Sequence, residues 1–449
     1  MATVDQAWLE DLEQFLRIPS VSADAAHRDD LRRAGEWVCE FVRRAGGTAE
    51  LIPGSSGVPL AVGEIPASQN PDDAPTVLVY GHFDVQPPAP LDEWVTPPFE
   101  PTVRDGRLYA RGAIDDKGQL YAQLRAAADL ASSGALPVNI RLACDGEEEI
   151  GGHSIVDFLA EDERGADACV IFDGLMERRD VPSVWIATRG LVAFDVRVRT
   201  GRIDLHSGVY GNAVLNATHA LIQTLAAVLP DESGRLPAPL RVGAVEPTDE
   251  EVAAWGELPA GGEVIAAAGA TPHDEDAEGE FYLRTFARPS TDVNGILGGK
   301  PGLINTTIPA AAQANFTIRL APGQDLETIA AAAEKLLRQA APDGAQVDVD
   351  LVSSARPSLL SPDEPVIRLG LEALERAVGR RAILGRAGGT LPIMAALVDN
   401  GIPTILTGFA LPDGGAHSPN ENFTLENLDL AVTSARELYT GFAGLGGRG

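Results

Sequence analysis

Thr76-Val77-Leu78-Val79-Tyr80-Gly81-His82-Phe83-Asp84-Val85 joins an apolar, β-branched run to a polar tip. The run predicts a buried strand. Side chains two apart in a strand share a face, so His82 and Asp84 should point into one space. An imidazole beside a carboxylate is the arrangement of a metal ligand and the group that orients it. It is equally a hydrogen-bonded pair closing a strand, and taken alone the plainer reading is the better one. The stretches that follow change that balance.

Upstream, Val4–Arg17 and a segment carrying Leu31, Val38, Phe41 and Val42 predict amphipathic helices, with short strands near Ala49–Ile52 and Leu60–Ile65. Downstream, a proline-rich loop, Gln86–Pro101, is long enough to suggest a functional role. Arg104-Asp105-Gly106-Arg107 reads as a hairpin turn. Asp115-Asp116-Lys117-Gly118 then opens a helix that Gly134 closes. A strand over Val138–Cys144 delivers Glu147-Glu148-Glu149, and one over Ala168–Phe172 delivers Asp173. Strand, acidic loop and helix therefore alternate, which predicts an α/β layer architecture with carboxylates at strand ends.

The pattern changes near residue 188. Leu191–Thr200 and Ala312–Leu320 alternate apolar and polar residues, as in a sheet with one wet face. With helices over Ala213–Leu229 and Leu326–Ala340, a strand near Leu303–Ile308 and another through Val347, Val349 and Leu351, the order is βαββαβ. From Pro357 the α/β style returns, through Gly388-Gly389-Thr390 to Gly415-Ala416-His417-Ser418-Pro419-Asn420 and a last helix. We expect an α/β catalytic domain over 1–187 and 357–449, with a mixed sheet flanked by helices. It is interrupted over 188–356 by a ferredoxin-like βαββαβ insert.

The chain has 449 residues, 45% of them hydrophobic, and a formal net charge of -30. That charge argues against nucleic-acid and anionic-membrane partners. No apolar run reaches membrane-spanning length, and the first residues lack a signal-peptide pattern. Cys39, Cys144 and Cys169 are widely spaced and odd in number, which suits a reducing compartment. A cytoplasmic protein is expected.

The strand ends present His82, Asp115, Glu148, Glu149, Asp173 and His417. Clustered carboxylates repel unless protonated or neutralised by cations. Mixed imidazole and carboxylate donors suit zinc, with manganese or cobalt as alternatives. Two such ions about 3.5–4 Å apart can share a water and lower its pKa toward neutrality. A carboxylate outside the metal shell could then take that water's proton.

Tyr80–Gln86, Asp92–Phe99, Arg111–Gly118, Gly146–Gly151, Asp204–Gly211, Ile318–Leu320, Gly388–Thr390 and Gly415–Asn420 resemble, in order, the motifs of the dinuclear-zinc metallopeptidases. That family includes dipeptidases, aminoacylases, glutamate carboxypeptidases and desuccinylases; the chain looks most like its carnosinase and cytosolic non-specific dipeptidase branch. The resemblance implies that His82 and Asp173 complete one metal, Glu149 and His417 the other, with Asp115 bridging. It implies a cis Asp115–Asp116 bond, Asp84 orienting His82, and Glu148 as general base. In the insert it implies that His206 stabilises the oxyanion, reaching the partner subunit's site in a homodimer. Arg319 would grip the substrate's terminal carboxylate, and Thr306, Gly388, Gly389 and Thr390 would contact substrate. Relatives commonly carry glutamate where this chain has Ala387, which bears on recognition of a free amine.

The expectation is a metal-dependent dipeptidase that hydrolyses dipeptides or short peptides with a metal-bridging water. An N-acyl-amino-acid deacylase or carboxypeptidase is the alternative within the family. A catalytically silent metal-binding or solute-binding scaffold is the alternative outside enzymes. Plainer readings hold elsewhere: His153 as a helix-start residue, His273 in a solvated acidic loop, His27 and His219 as structural or exposed, and Asp116 as a group behind the ligands.

Overall fold

A computed structural model describes residues 5–446 except 177 and 301. The chain divides into two compact units: Met1–Ile186 with Leu360–Leu384 and Ala396–Gly449, and Ala187–Leu359 with Gly385–Ala395.

The first unit is built on a mixed sheet. Its strands run in the order Thr48–Pro53, Pro59–Ile65, Asn139–Asp145, Thr76–His82, Ala168–Phe172, Thr404–Thr407 and Ser183–Thr188. The middle four are mutually parallel, and the flanking pairs are antiparallel. Val77, Leu78, Val79 and Tyr80 are all buried, as a central strand covered on both faces requires. Helix Lys117–Ser132 packs against the sheet and against helix Leu425–Phe442, which also meets helix Pro365–Val378. Helix Arg28–Arg44 covers the antiparallel end of the sheet. Phe15 stacks on Trp37, with ring centroids 4.3 Å apart.

Parallel strands end on the same edge of a sheet. The edge where Thr76–His82, Asn139–Asp145 and Ala168–Phe172 end therefore receives the loops carrying His82, Glu148, Glu149 and Asp173.

The second unit has a four-stranded antiparallel sheet in the order Ser290–Gly298, Ala311–Leu320, Gly190–Arg199, Gln346–Ala355. Val192, Phe194, Val196 and Val198 face Ala314, Phe316, Ile318 and Leu320 in one core with helices Ala217–Leu225 and Leu326–Ala340. Phe194 and Phe316 stack at 5.1 Å. In chain order these elements are βαββαβ.

One strand differs from expectation. The second strand of this unit is Ser290–Gly298, and only Thr307–Ile308 of the expected Leu303–Ile308 is extended, in a short pair with Leu205–His206. Asp292, Asn294, Gly295 and Gly298 weaken the strand signal of the true segment, and a register shift between Val293 and Gly295 breaks its alternation.

Candidate metal centre and substrate-contacting residues

His82 closes its strand with a fully buried side chain. Its Nδ1 faces the Asp84 carbonyl oxygen at 3.2 Å, and its Nε2 faces Asp115 Oδ1 at 3.1 Å. Asp84 Oδ1 is 3.3 Å from the same Nδ1, without hydrogen-bond geometry. Asp84 Oδ2 accepts from the Glu149 N–H at 3.1 Å. Asp84 thus holds two expected ligands, one through each part of the residue.

Asp115 sits just before helix Lys117–Ser132, and its bond to Asp116 is cis. Its two oxygens face different imidazoles: Oδ1 toward His82, and Oδ2 toward His417 Nε2 at 2.9 Å. His417 Nε2 also lies 3.2 Å from Glu149 Oε2. Donor atoms of His82, Asp115 and Glu149 lie within 4.8 Å of one another. Asp116 Oδ2 accepts from the His82 N–H at 3.2 Å. A Cβ on Gly81 would come within 2.7 Å of that oxygen, so the strand needs glycine there.

Glu148 and Glu149 start a single 3₁₀ turn after strand Asn139–Asp145. Asp173 follows strand Ala168–Phe172 directly. Burial pushes Asp173 up to about 6, with the charges of Asp115 and Glu149 adding to it and His82 opposing. Burial likewise raises Glu148 to about 8, against His82 and with Asp173, Glu149 and Asp84. For His82, burial lowers the pKa, but the adjoining carboxylates of Asp115 and Asp84 outweigh this and hold it well above the usual range. Asp115 is lowered despite burial, by His417 and His82.

Crowded acids of this kind call for cations. The donor set is imidazole nitrogen and carboxylate oxygen, and a carboxylate turned toward two separate imidazoles has the form of a bridge. These residues fit a pair of divalent ions.

Three groups to which the sequence assigns no role brace the candidate ligands or the loops that carry them. Gln86 donates from its backbone N–H to Glu149 Oε1 at 3.1 Å and from Nε2 to Glu149 Oε2 at 2.8 Å. Glu421 is fully buried and accepts from Arg111 Nη1 at 2.6 Å and from the N–H groups of Gly112, Ile114 and Asp115 at 3.0, 2.9 and 3.1 Å. Burial raises Glu421 to about 7, against the pull of Arg111. Glu147 is a buried acceptor for Ser56 Oγ and for the Ser154 N–H at 2.9 Å. A buried carboxylate facing only donors was the available signal for Glu421, but its donors lie some three hundred residues away in the chain.

In the second unit, His206 and Thr306 are neighbours. His206 pairs with Thr307, the Ser207 N–H donates to the Thr306 carbonyl at 2.8 Å, and His206 Nδ1 accepts from the Gly208 N–H at 2.9 Å. His206 is exposed. Arg319 Nη1 donates to Thr390 Oγ1 at 2.7 Å. Gly388 and Gly389 are held through their carbonyls by Arg189, whose Nε reaches Gly388 at 2.8 Å and whose N–H reaches Gly389 at 3.1 Å. The expected substrate contacts in this unit therefore form two groups, one at His206 and one at Arg319.

A mixed sheet with imidazoles and carboxylates at its strand ends defines a metal-dependent hydrolase of the α/β type. The model of peptidase family M20/M25/M40 matches residues 78–440, and the chain belongs to that family. The cysteinylglycine-S-conjugate dipeptidase of Corynebacterium striatum is 26% identical over 448 residues, covering 96% of this chain and 94% of that protein. The beta-Ala-His dipeptidase of Homo sapiens is 29% identical over 371 residues, 78% of this chain and 72% of its own. The crystal structure of the M20 family metallo-carboxypeptidase Sso-CP2 from Sulfolobus solfataricus superposes with a TM-score of 0.83 at 26% identity. It covers 98% of this chain and 100% of that one. Among the described residues no helix is long and apolar enough to cross a membrane.

Proposed function

We propose that the chain is a metal-dependent dipeptidase. The observation that carries this reading is the turning of Asp115's two oxygens toward His82 and His417, with Glu149 beside them. Its similarity to proteins named dipeptidases supports the same substrate class. His82, Asp115, Glu149, Asp173 and His417 would hold two divalent cations, zinc foremost, which would supply a water of lowered pKa and a Lewis acid for the scissile carbonyl.

The protein's own groups do the rest. Glu148 makes no side-chain hydrogen bond among the described residues, so its carboxylate is free to take the water's proton. It then returns that proton to the leaving amine. Asp84 fixes the His82 ring and the Glu149 backbone. His206, with Nδ1 committed to Gly208, offers Nε2 to the developing oxyanion. Arg319 takes the substrate's terminal carboxylate, assisted by Thr390, and Thr306, Gly388 and Gly389 contact the peptide. The βαββαβ order and antiparallel sheet of the second unit support reading it as an inserted ferredoxin-like lid through which a homodimer forms. The cysteines Cys39, Cys144 and Cys169 are buried and free, which agrees with a cytoplasmic enzyme.

Glu148→Gln tests the assignment. The variant should keep both metals and lose about 10²–10⁴-fold in kcat on any dipeptide that the wild type hydrolyses. Near-wild-type turnover would reject Glu148 as base. Ala387 favours a second reading, because a methyl group cannot pair with a free amine: the substrate is an N-acyl amino acid. Rates on a free dipeptide and on its N-acetyl form, with zinc, manganese and cobalt in parallel, separate the two.

A further inference from the structure

Three arginines surround the segment Gly385–Ala395 in the second unit, and they are treated differently. Arg386 is buried and paired with Glu251 through both oxygens, at 2.8 and 3.1 Å. Arg189 and Arg319 have no carboxylate within salt-bridge distance among the described residues, although the chain carries 65 acidic residues against 35 basic ones. Their partners are neutral: the Gly388 carbonyl and Ser290 Oγ for Arg189, and Thr390 Oγ1 for Arg319.

Both guanidiniums converge on one place. Ser290, which Arg189 Nη1 reaches at 3.4 Å, lies directly opposite Arg319 in the strand register. Gly388 and Thr390, which receive the two arginines, are two residues apart. Among the described residues, Arg319 Nε and Nη2 and Arg189 Nη2 have no hydrogen-bond partner. None of them is among the buried unpartnered atoms, so they are open to a ligand. Arg189 is pulled down to about 10, first by burial and then by the charge of Arg319; Asp292 opposes this more weakly. Two partly buried like charges at close range are unfavourable without anions to offset them. One carboxylate would leave a positive charge over, whereas two would neutralise the site.

We propose that Arg189 and Arg319 form a subsite for two carboxylates, which selects dipeptides ending in glutamate or aspartate. This rests on the dipeptidase reading, with Arg319 on the terminal carboxylate and Arg189 on that of the side chain. Arg319, with Nε and Nη2 open, can take a carboxylate through two parallel hydrogen bonds, and Arg189 can donate to a second one through Nη2.

The test compares kcat/KM for Ala-Glu with isosteric Ala-Gln, using metal-loaded protein. The wild type should favour Ala-Glu by about tenfold or more, and Arg189→Gln should bring the ratio to within about threefold, with Arg189→Lys between them. A ratio near one in the wild type, or a preference that survives in Arg189→Gln, overturns the subsite. Arg189 also holds Gly388, so Arg189→Gln could lose all turnover; the ratios in the wild type and Arg189→Lys then decide. If the metal-loaded wild type hydrolyses neither peptide, it is the dipeptidase reading that fails. The subsite is then judged by calorimetry with free glutamate and glutamine: tighter glutamate binding supports it, and equal binding overturns it.

Discussion

At the scale of single residues, the centre is held by groups that never touch the reaction. Glu421 joins the backbone of Gly112, Ile114 and Asp115 to the Arg111 guanidinium inside one buried contact. Glu421→Gln leaves Arg111 buried without its counter-charge, and breaking such a pair costs about 3–5 kcal/mol. Chemical denaturation should show a loss of that order, with metal affinity reduced about 10–100-fold because Asp115 is no longer fixed. Unchanged stability and metal content would show that the bonds to Glu421 do not position Asp115. Gln86→Ala should weaken metal binding without touching the buried pair, because among the described residues the Gln86 amide bonds Glu149 and not Arg111 or Glu421. Competition with a chromogenic chelator measures both variants on one scale.

Several of the candidate ligands stood out because they follow strongly apolar runs. Asp173 comes straight after Ala168–Phe172, a five-residue apolar run whose observed bounds equal those read from the sequence. The supporting residues were harder to see. Gln86, Arg111 and Glu421 act through contacts between distant stretches, and their meaning depends on what folds beside them. Arg189 showed no pattern at all, since an arginine is noticed only once its neighbours prove to lack carboxylates.

Among elements, turn chemistry was the most dependable signal. Asp105-Gly106 takes positive φ at both positions, 48° and 75°, and joins strands Thr102–Arg104 and Arg107–Tyr109 as an Asp-Gly hairpin should. The acidic passage from Leu236 to Glu280 carries no clear period in its sequence, because its helices, Asp249–Trp255 and Gly261–Ala267, are too brief for a full amphipathic repeat. The proline-rich loop over Gln86–Pro101 is tied to the His417 loop by Asn420, whose Oδ1 accepts from the Val95 N–H at 2.9 Å and whose Nδ2 donates to the Glu93 carbonyl at 2.8 Å. Asn420→Ala removes both links. The loop should become a preferred site of limited proteolysis, with a loss of about 1 kcal/mol in global stability. A digestion pattern identical to the wild type would show that Asn420 does not secure it.

For the whole molecule, the metals and the protons compete. In the metal-free protein Asp115 and Glu149 hold His417 up to about 10, against an ordinary value of 6.5. A raised pKa in the folded state contributes its full stability below pH 6.5 and loses it as pH climbs through about 10. The melting temperature of the metal-free form should therefore fall across that window. Cations must displace the same proton, so their affinity should rise over it, with proton release visible as buffer-dependent heats. A metal-free melting temperature that climbs from pH 6.5 to 10 would contradict the assignment of His417. At metal concentrations about a thousandfold above Kd, loading should add about 4 kcal/mol of stability, and chelation should remove it.

The gathering of ligands has a consequence for biosynthesis. His82, Asp115, Glu149 and Asp173 leave the ribosome before the intervening unit, whereas His417 and the clamp at Glu421 emerge only after that unit has been translated. A growing polypeptide thus carries an unbalanced acidic cluster while the intervening unit is being made. Loading with both cations would become possible only once the segment carrying His417 has followed the inserted unit off the ribosome, which makes the completion of that segment the step that arms the enzyme.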